Sequence, residues 1–514
     1  MSSTENSIES SFLYRFLQKV ERVGNRLPQP ALMFLGLTVI VILFSALISV
    51  LGIQAVHPVK KDVITAVNLL SASGLQMILT DMVKNFTGFA PLGTVLVAML
   101  GFSLAEKSGL LGALLRLLVL KSPRQLLVPA VLLAGIMSHT AGDIGYVLLI
   151  PLSAMAFHSA GMNPLAGLAI CFAGVSGGFA ANFLISAIDP LLGGLSQEAA
   201  RIIDPNYVVT PVVNWYFMSA SSLLIIAIGS LIAHKITIPF LGNYNGETVR
   251  TAPEPLNDYE RRGLLWAGIT LVLLVVFLLL GTVPTNGFLR NPQDGSLLNS
   301  PFLSGIIAIT FFIGALTGIA YGFGSKTFKR QEDILNAMQD SMETMAPYMV
   351  MVFFAAQFIA LFNASNVGLI LAIHGSEFLK GMSLGAIPLM IGFILLTCLL
   401  DLFLGSASAK WALMAPIFVP MFMLLGLAPE LTQASYRVAD SVVNIISPFM
   451  YYFPLILAFA NKYDPKARMG TLIALMLPYS IGFLIFWSLM LFAWIALDLP
   501  LGPGAHLRYI VPGL

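Results

Sequence analysis

Two charged residues, Arg437 and Asp440, lie three positions apart in a largely apolar part of the chain, within SYRVADSVVNIISP (residues 435–448). On a helix this spacing places both side chains on one face, where they can pair. A charge near the centre of a bilayer costs about 2.5–3.5 kcal/mol on insertion scales, so unused charges are disfavoured there. The pair is therefore predicted to bind substrate or ion, or else to join two helices as a structural ion pair. Pro448 is expected to break the helix next to it.

A second group of polar residues occupies GSASAKW, residues 405–411. Ser406 and Ser408 offer hydroxyl groups, and the small residues around them let a ligand approach the backbone. Trp411 offers a flat ring for an aromatic or cationic group. Lys410 is expected either to reach water or to pair with an acid. The alternative is a tightly packed turn in which Trp411 anchors an interface.

Isolated acids mark further candidate ion sites. Gly177–Gly178 and Asp189–Pro190 are expected to break a helix on both sides of Asn182, a candidate substrate ligand. The acids that could carry a proton or hold Na⁺ are Asp189, Asp440, Asp401 and Asp143. For Asp401 and Asp143 the alternative is capping of a helix, and for Asp189 it is a carboxylate at a helix end near the membrane surface.

The composition indicates that these residues belong to a membrane protein. Of the 514 residues, 57% are hydrophobic and 10% are charged, which is too few charges to cover a soluble protein of this length. Several apolar runs reach about 20 residues, the length needed to cross a bilayer as a helix. The sequence predicts an all-α polytopic membrane protein with nine transmembrane helices, at 31–53, 85–105, 164–190, 215–237, 264–284, 301–322, 341–363, 430–461 and 470–497.

Two apolar regions are too interrupted to be single spans. Region 126–158 is split by SHTAGD (138–143), and region 388–425 is split by GSASAK (405–410). Both are predicted to be re-entrant hairpins that enter the membrane and return on the same side. With a cytoplasmic N-terminus, this layout places eighteen Lys and Arg residues inside and seven outside, as the positive-inside rule requires. The C-terminus is then outside.

The two hairpin regions also resemble each other in sequence. Residues 145–164 align without a gap with residues 410–429, and the glycine and proline positions Gly161/Gly426 and Pro164/Pro429 coincide. The charge distribution orients the two copies oppositely. Inverted repeats with broken helices are typical of secondary transporters, which bind substrate and ions near the membrane midplane.

The predicted segments follow from this repeat. They are a cytoplasmic segment 1–30, a first helix region 31–63, repeat 1 at 64–195 with the broken helix 164–190, connecting helices at 196–322, repeat 2 at 323–468 with the broken helix 430–461, and a last helix and tail at 469–514.

Several motifs of other functional classes are missing from the sequence. It contains no GxxxxGK[ST] for ATP, no HExxH and no Cys/His cluster. An enzyme, a cofactor and a nucleic-acid partner are therefore not expected. A channel and a structural membrane protein remain as alternatives to a transporter.

Long stretches resemble the AbgT family of bacterial p-aminobenzoyl-glutamate transporters. They include VKNFTGFAPLGTVL, LLGGLSQEAA, GSASAKWALMAPIFVPMFMLLG, YRVADS and LPLGPG. The resemblance implies nine membrane helices, two opposed hairpins and a homodimer in the bacterial inner membrane. It also implies either import of p-aminobenzoyl-glutamate or export of sulfonamide antimetabolites driven by the proton-motive force.

The resemblance carries functional roles to six positions, namely Asp189, Ser408, Trp411, Arg437, Asp440 and Pro448. It implies that Arg437 holds an anionic substrate, Trp411 stacks on its ring and Ser408 orients it, while Asp189 and Asp440 carry protons. Asp440 is expected to pair with Arg437 until substrate takes the arginine. Na⁺ is the alternative coupling ion, with Asp401 and Asp440 as candidate ligands. The acid at Asp401 departs from the family pattern and leaves the choice of ion open.

Overall fold

The computed structural model describes residues 30–56, 62–120, 122–141, 145–244, 255–297, 300–447, 450 and 452–510. This part of the chain is almost entirely helical, and its one sheet is an antiparallel pair of three-residue strands, β1 (Gln54–Val56) and β2 (Val63–Thr65). The predicted all-α fold class is confirmed. The proposed cytoplasmic segment 1–30 lies almost wholly outside the described residues.

Among the described residues, the first half of the chain contains nine principal helices: α1 (Pro30–Leu51), α2 (Ala72–Thr87), α3 (Ala90–Lys107), α4 (Leu110–Leu120), α5 (Leu127–Met137), α6 (Ile150–Ser159), α7 (Pro164–Phe172), α8 (Ile188–Ala200) and α9 (Trp215–Ile232). The second half contains ten: α10 (Asp258–Thr282), α11 (Ile306–Ser325), α12 (Gln331–Thr344), α13 (Ala346–Ala364), α14 (Val367–Gly381), α15 (Ala386–Asp401), α16 (Ala407–Met423), α17 (Pro429–Asn444), α18 (Phe453–Asn461) and α19 (Met469–Ala496).

Seven helical segments in the described residues are long and apolar enough to cross a membrane: Pro30–Leu51, Ala72–Lys107, Trp215–Leu241, Asp258–Thr282, Ile306–Ser325, Ala346–Ala364 and Met469–Ala496. They coincide with seven of the nine predicted spans. The other two predicted spans, 164–190 and 430–461, are each divided into shorter helices. An eighth candidate is a pair of helices, Leu110–Val119 and Arg124–Met137, that bends by 114°. The count of nine transmembrane helices stays a prediction.

Both predicted hairpin regions consist of two short helices joined at a polar turn. In the second, α15 ends at Asp401 and α16 begins after Ser406, whose Oγ accepts a hydrogen bond from Ala409 N as an N-cap. In the first, α5 is followed by a tight turn at Ser138–Ala141, and a wide helical turn at Gly145–Leu149 leads into α6. Whether these pairs re-enter the membrane on one side stays a prediction.

The helix breaks fall next to the residues that favour them. After α7, one wide turn ends at Gly177, residues 178–187 are irregular, and α8 begins at Ile188. Pro190 is tolerated because the first turn of a helix needs no N–H donor there. The helix then runs to Ala200, beyond the predicted end at residue 190. In the second repeat, α17 ends at Asn444 and α18 begins at Phe453.

The two repeats share these boundaries at one sequence offset. Pro164 begins α7 and Pro429 begins α17, 265 residues later; Ile188 and Phe453, which begin α8 and α18, have the same separation. The glycines before the two prolines, Gly161 and Gly426, have φ angles of 73° and 82°. The matching backbone conformations support the internal repeat that the sequence predicts.

Helix α17 lies at the centre of the packing. All its sixteen residues are buried, including Arg437 and Asp440. It packs against α8, α15, α16, α19 and the wide turn Ala173–Gly177. The charges on α17 therefore face protein, so that their partners must come from neighbouring helices. In contrast, α10 lies at the periphery and exposes most of its apolar residues, as expected of a helix that faces lipid.

Small residues allow the closest packing between the outer helices. A Cβ atom added at Gly101 in α3 would lie 2.5 Å from the Cα atom of Phe311 in α11. Gly314 and Gly318 in α11 are equally close to the backbone of α3. Their four-residue spacing is the small-xxx-small pattern that lets membrane helices bring their backbones together.

Candidate functional site

Arg437 forms a buried ion pair with an acid from the first repeat. Its Nη2 donates to Asp189 Oδ1 at 2.6 Å and to the Ala180 carbonyl oxygen at 3.0 Å. The arginine side chain is 1% exposed and the aspartate side chain is 7% exposed. The expected pairing of Arg437 with Asp440 is therefore wrong for this conformation, because the guanidinium group is directed towards the break between α7 and α8.

The second oxygen of Asp189 is held by that same break. Asp189 Oδ2 accepts hydrogen bonds from Ser186 N at 2.6 Å and from Ser186 Oγ at 2.9 Å. Asn182 Nδ2 donates to Ser186 Oγ at 3.0 Å and lies 3.4 Å from Asp189 Oδ2. The irregular segment thus fixes the carboxylate that faces Arg437. Asn182 is fully enclosed here and acts through Ser186 and Asp189.

A second buried ion cluster centres on Lys410, the fourth residue of α16. Its Nζ contacts Asp401 Oδ1 and lies 2.8 Å from Asp440 Oδ1. The lysine and Asp401 side chains are both 0% exposed. Apart from this lysine, the Asp401 carboxylate has no hydrogen-bond donor among the side chains and backbone that the structure describes. Lys410 therefore joins α15, α16 and α17 at the tip of the second hairpin.

Asp440 has additional donors. The Tyr436 hydroxyl lies 3.2 Å from Asp440 Oδ1 and 2.5 Å from the Ala407 carbonyl oxygen, and Asn444 Nδ2 donates to Asp440 Oδ2 at 3.2 Å. Tyr436, Asp440 and Asn444 are spaced four residues apart, so they lie along one face of α17. Asp401 and Asp440 are consequently not equivalent, because they accept different numbers of hydrogen bonds.

Trp411 is completely buried between the repeats. Its Nε1 donates to Ser196 Oγ at 3.1 Å and to the Leu192 carbonyl oxygen at 3.3 Å, both in α8. Its ring packs against Tyr436, with the centroids 4.6 Å apart. In this conformation the ring is therefore covered by protein. Stacking on a substrate would require α16 to move relative to α8.

The other predicted site residues are the two serines at the hairpin tip, Asp143 and Pro448. Ser406 and Ser408 are half-buried at the hairpin tip with their hydroxyl oxygens 3.3 Å apart. Asp143 and Pro448 lie outside the described residues. The structure thus joins Asp189 to Arg437, links Asp401 to Asp440 through Lys410, and places Trp411 of α16 against Tyr436 of α17.

Several residues that complete the clusters could not be assigned a site role from the sequence. The sequence predicts either water or an acid as the partner of Lys410, and Tyr436 and Asn444 carry no charge that would mark them as site residues. Their four-residue spacing around Asp440 was the available signal. Ser196 donates to Gln433 Oε1 at 2.7 Å and so connects α8 to α17. This bond spans 237 residues and left no pattern in the sequence.

The two clusters together carry an excess of acid. Within the described part of the site, three buried carboxylates face two basic side chains, which leaves one negative charge when all five are ionised. A buried charge without a counterion is costly, so the site favours binding of a proton or another cation. No group of three or more His, Cys, Asp or Glu side chains suited to a metal occurs among the residues described.

Comparison with known proteins identifies the family. A family model described as the AbgT putative transporter family matches residues 15–509. The chain is 40% identical over 508 residues to the p-aminobenzoyl-glutamate transport protein of Escherichia coli (strain K12), which covers 99% of each sequence.

Two solved structures have the same fold. The YdaH transporter of Alcanivorax borkumensis, described as having an unusual topology, superposes with a TM-score of 0.89 at 45% identity and covers 93% of this chain and 100% of its own. MtrF of Neisseria gonorrhoeae, described as illuminating a class of antimetabolite efflux pumps, gives a TM-score of 0.90 at 49% identity and covers 95% and 100%. These relatives are named for transport, in agreement with the expectation that the chain is not an enzyme. The chain, a multi-pass helical membrane protein, belongs to the AbgT putative transporter family.

Proposed function

We propose that this chain is a secondary active transporter that exports sulfonamide antimetabolites and aromatic anions resembling p-aminobenzoyl-glutamate, driven by the proton-motive force. The main support is the buried site where Arg437 pairs with Asp189 across the two repeats. Two relatives add support, since one is named for p-aminobenzoyl-glutamate transport and the other is assigned to antimetabolite efflux pumps.

The coupling step follows from competition for Arg437. A carboxylate or an ionised sulfonamide that approaches the guanidinium group displaces Asp189, because both anions use the same donors. Asp189 is then a buried acid without its counterion, and a proton neutralises it. When the substrate leaves, Arg437 and Asp189 pair again and the proton is released. Substrate and proton therefore bind and leave together at this pair, which couples their movement in the same direction. The proton that is exchanged for substrate during export is therefore assigned to a second position.

The second cluster supplies the other proton position. Asp440 lies one helical turn from Arg437, and the two acids that face Lys410 leave one excess negative charge. Protonation of either acid neutralises that charge, which would loosen the contact between α16 and α17. Movement of the second hairpin then exposes Trp411 and Ser408 to the substrate ring.

The direct test is flux in proteoliposomes with the purified protein. Labelled p-aminobenzoyl-glutamate and a labelled sulfonamide are supplied under an imposed pH gradient of either sign, with Asp189→Asn and Asp440→Asn beside the wild type. We expect both substitutions to reduce gradient-driven flux at least about tenfold, because each removes a buried carboxylate to which the proposal assigns the coupling proton. Lys107→Gln, in the exposed pair with Asp340, is the control and should transport normally.

Wild-type flux in both acid variants at equal protein content would contradict the coupling role. The sign of the gradient that drives accumulation distinguishes export from the second candidate, H⁺- or Na⁺-coupled import of p-aminobenzoyl-glutamate. Flux that only equilibrates and ignores both gradients would indicate a channel. No flux under any condition would favour a structural membrane protein.

The proposed setting is the bacterial inner membrane, with a cytoplasmic N-terminus, an external C-terminus and a homodimeric assembly. The positive-inside distribution supports the orientation, and the resemblance to the family supports the dimer. Membrane lipid and a small-molecule substrate are the other expected partners, and no cofactor is expected besides the coupling ion.

A further inference from the structure

The ammonium group of Lys410 occupies a place built from oxygen atoms. Its Nζ contacts Asp401 Oδ1, lies 2.8 Å from Asp440 Oδ1 and is 3.5 Å from the Leu404 carbonyl oxygen. Carboxylate and backbone carbonyl oxygens are the ligands that hard cations prefer in proteins. Asp401 and Asp440 are also the two acids that the sequence predicts as candidate Na⁺ ligands.

A Na⁺ ion does not fit between these acids while the lysine is in place. Oδ1 of both carboxylates already contacts the ammonium group, which carries the same charge as the ion. Moreover, the Asp401 carboxylate accepts no other hydrogen bond from the residues that the structure describes, and the ion pair that it forms among them is with Lys410. A second cation would have to displace the first, whose side chain is fully enclosed by protein.

We propose that Lys410 acts as a tethered cation that replaces a bound Na⁺ ion, so that this protein needs no Na⁺ to hold α15, α16 and α17 together. The lysine lies on α16, at the hairpin tip, and its acidic partners lie on the other two helices. Its removal should convert the cluster into a Na⁺ site. The inference deepens the proposed function and rests on it only in naming the coupling ion.

Thermal stability of the purified protein in detergent provides a test that does not depend on transport. Melting temperatures are measured in NaCl and in choline chloride at constant ionic strength. We expect the wild type to show no Na⁺-specific shift. Lys410→Ser removes the ammonium group and leaves space between the two acids, so its melting temperature should rise by several degrees with Na⁺ and saturate.

Two further variants separate charge from space. Lys410→Met removes the charge but fills the space with a side chain of similar length, and should show no Na⁺ response. The double variant Asp401→Asn with Lys410→Ser keeps the net charge of the cluster, because one acid and one base are lost together. It should fold even where Lys410→Ser fails, and should bind Na⁺ at Asp440.

A saturable, Na⁺-specific rise in the melting temperature of the wild type would overturn the proposal. It would also be overturned if the Lys410→Ser variant or the double variant folds and its melting temperature does not respond to Na⁺. The outcomes are distinct from those of the flux assay. If a Na⁺ gradient drives wild-type flux, the proposed role of Lys410 as a tethered cation is wrong, whereas the proposed transport function is supported. If flux is absent while the melting results are as expected, the proposed function is wrong and the role of Lys410 stands.

Discussion

At the scale of residues, the site is defined by charges that find partners on other helices. Arg437 pairs with an acid 248 positions away, and Lys410 pairs with Asp401 and Asp440 on the helices to either side. Removing one member of a buried pair leaves the other as an uncompensated charge, which costs far more than the pair itself contributes. Single substitutions in these buried pairs are therefore expected to be strongly destabilising.

Arg437→Gln and Asp189→Asn should each lower the free energy of unfolding by about 3–5 kcal/mol, because each leaves one buried charge without its counterion. The double variant should lose clearly less than the sum of the two single losses, since neither charge remains. Denaturant unfolding in detergent, followed by tryptophan fluorescence, measures the four members of the cycle.

The exposed pair of Lys107 and Asp340, whose charged groups are 3.4 Å apart, is the matched control. The same cycle there should give a coupling of about 0–1 kcal/mol, because water screens both groups. Additive losses for Arg437 and Asp189 would show that the two side chains do not depend on each other.

At the scale of elements, the repeat is visible in how each copy turns from its hairpin into the next helix. Gly161 and Gly426 both adopt positive φ, a region that side chains with a Cβ atom occupy at a cost. A Cβ atom at Gly161 would meet nothing within 4 Å, and one at Gly426 would make only an ordinary contact with Tyr509 O at 3.7 Å. The cost of substitution should therefore come from the backbone conformation alone.

Gly161→Ala and Gly426→Ala should each destabilise the protein by about 1–2 kcal/mol, and by similar amounts, because the two turns share one conformation. Gly268→Ala is the control. That glycine lies inside α10 with open space around it, so alanine there should be neutral or stabilising by roughly 0.5–1 kcal/mol. Thermal unfolding of the three variants distinguishes these expectations. A loss at only one turn would contradict equivalence of the repeats.

In the whole molecule, the C-terminal segment 501–510 joins the second repeat to the connecting region 196–322. Ala428 N donates to the Leu507 carbonyl oxygen and Tyr509 N donates to the Gly426 carbonyl oxygen, each at 2.9 Å. Burial, and then the nearby Asp204 carboxylate, raise the pKa of Tyr509 to about 12. The Tyr509 hydroxyl therefore stays protonated at neutral pH and donates to Asp204 at 3.4 Å.

Ending the chain after Pro500 should lower stability by about 3–6 kcal/mol, because the buried side chains of Leu501 and Leu507 are lost with these backbone hydrogen bonds. The loop that precedes α17 should then become more mobile, and hydrogen exchange at Gly426 to Ala428 would detect this. Ile510→Ala is the control and should melt as the wild type does, because the Ile510 side chain is 85% exposed. An unchanged melting temperature after the truncation would show that the segment does not stabilise the protein.

Apolar length and helix-breaking residues predicted the long helices and the positions near which the broken helices divide. Apolar runs of about 20 residues become long helices because only a helix satisfies its own backbone in lipid. Pro164 and Pro429 start helices because proline needs no N–H partner there, and Gly161 and Gly426 turn because glycine has no Cβ atom. Such effects are local, so composition and spacing reveal them. The predicted spans do not include short helices such as α4 and α14, because these helices are shorter than the length needed to cross a membrane.

Which charges pair depends on how the helices pack against each other. Spacing indicated that Arg437 and Asp440 share a face of α17, but it could not show which helices meet that face. Packing placed Asp189 against Arg437 and Lys410 against Asp440, so the near neighbours in sequence have separate partners. The burial of Trp411 was equally hidden. Because pairing in a low-dielectric interior depends on distances of a few ångströms across helices far apart in sequence, only the packed molecule fixes it.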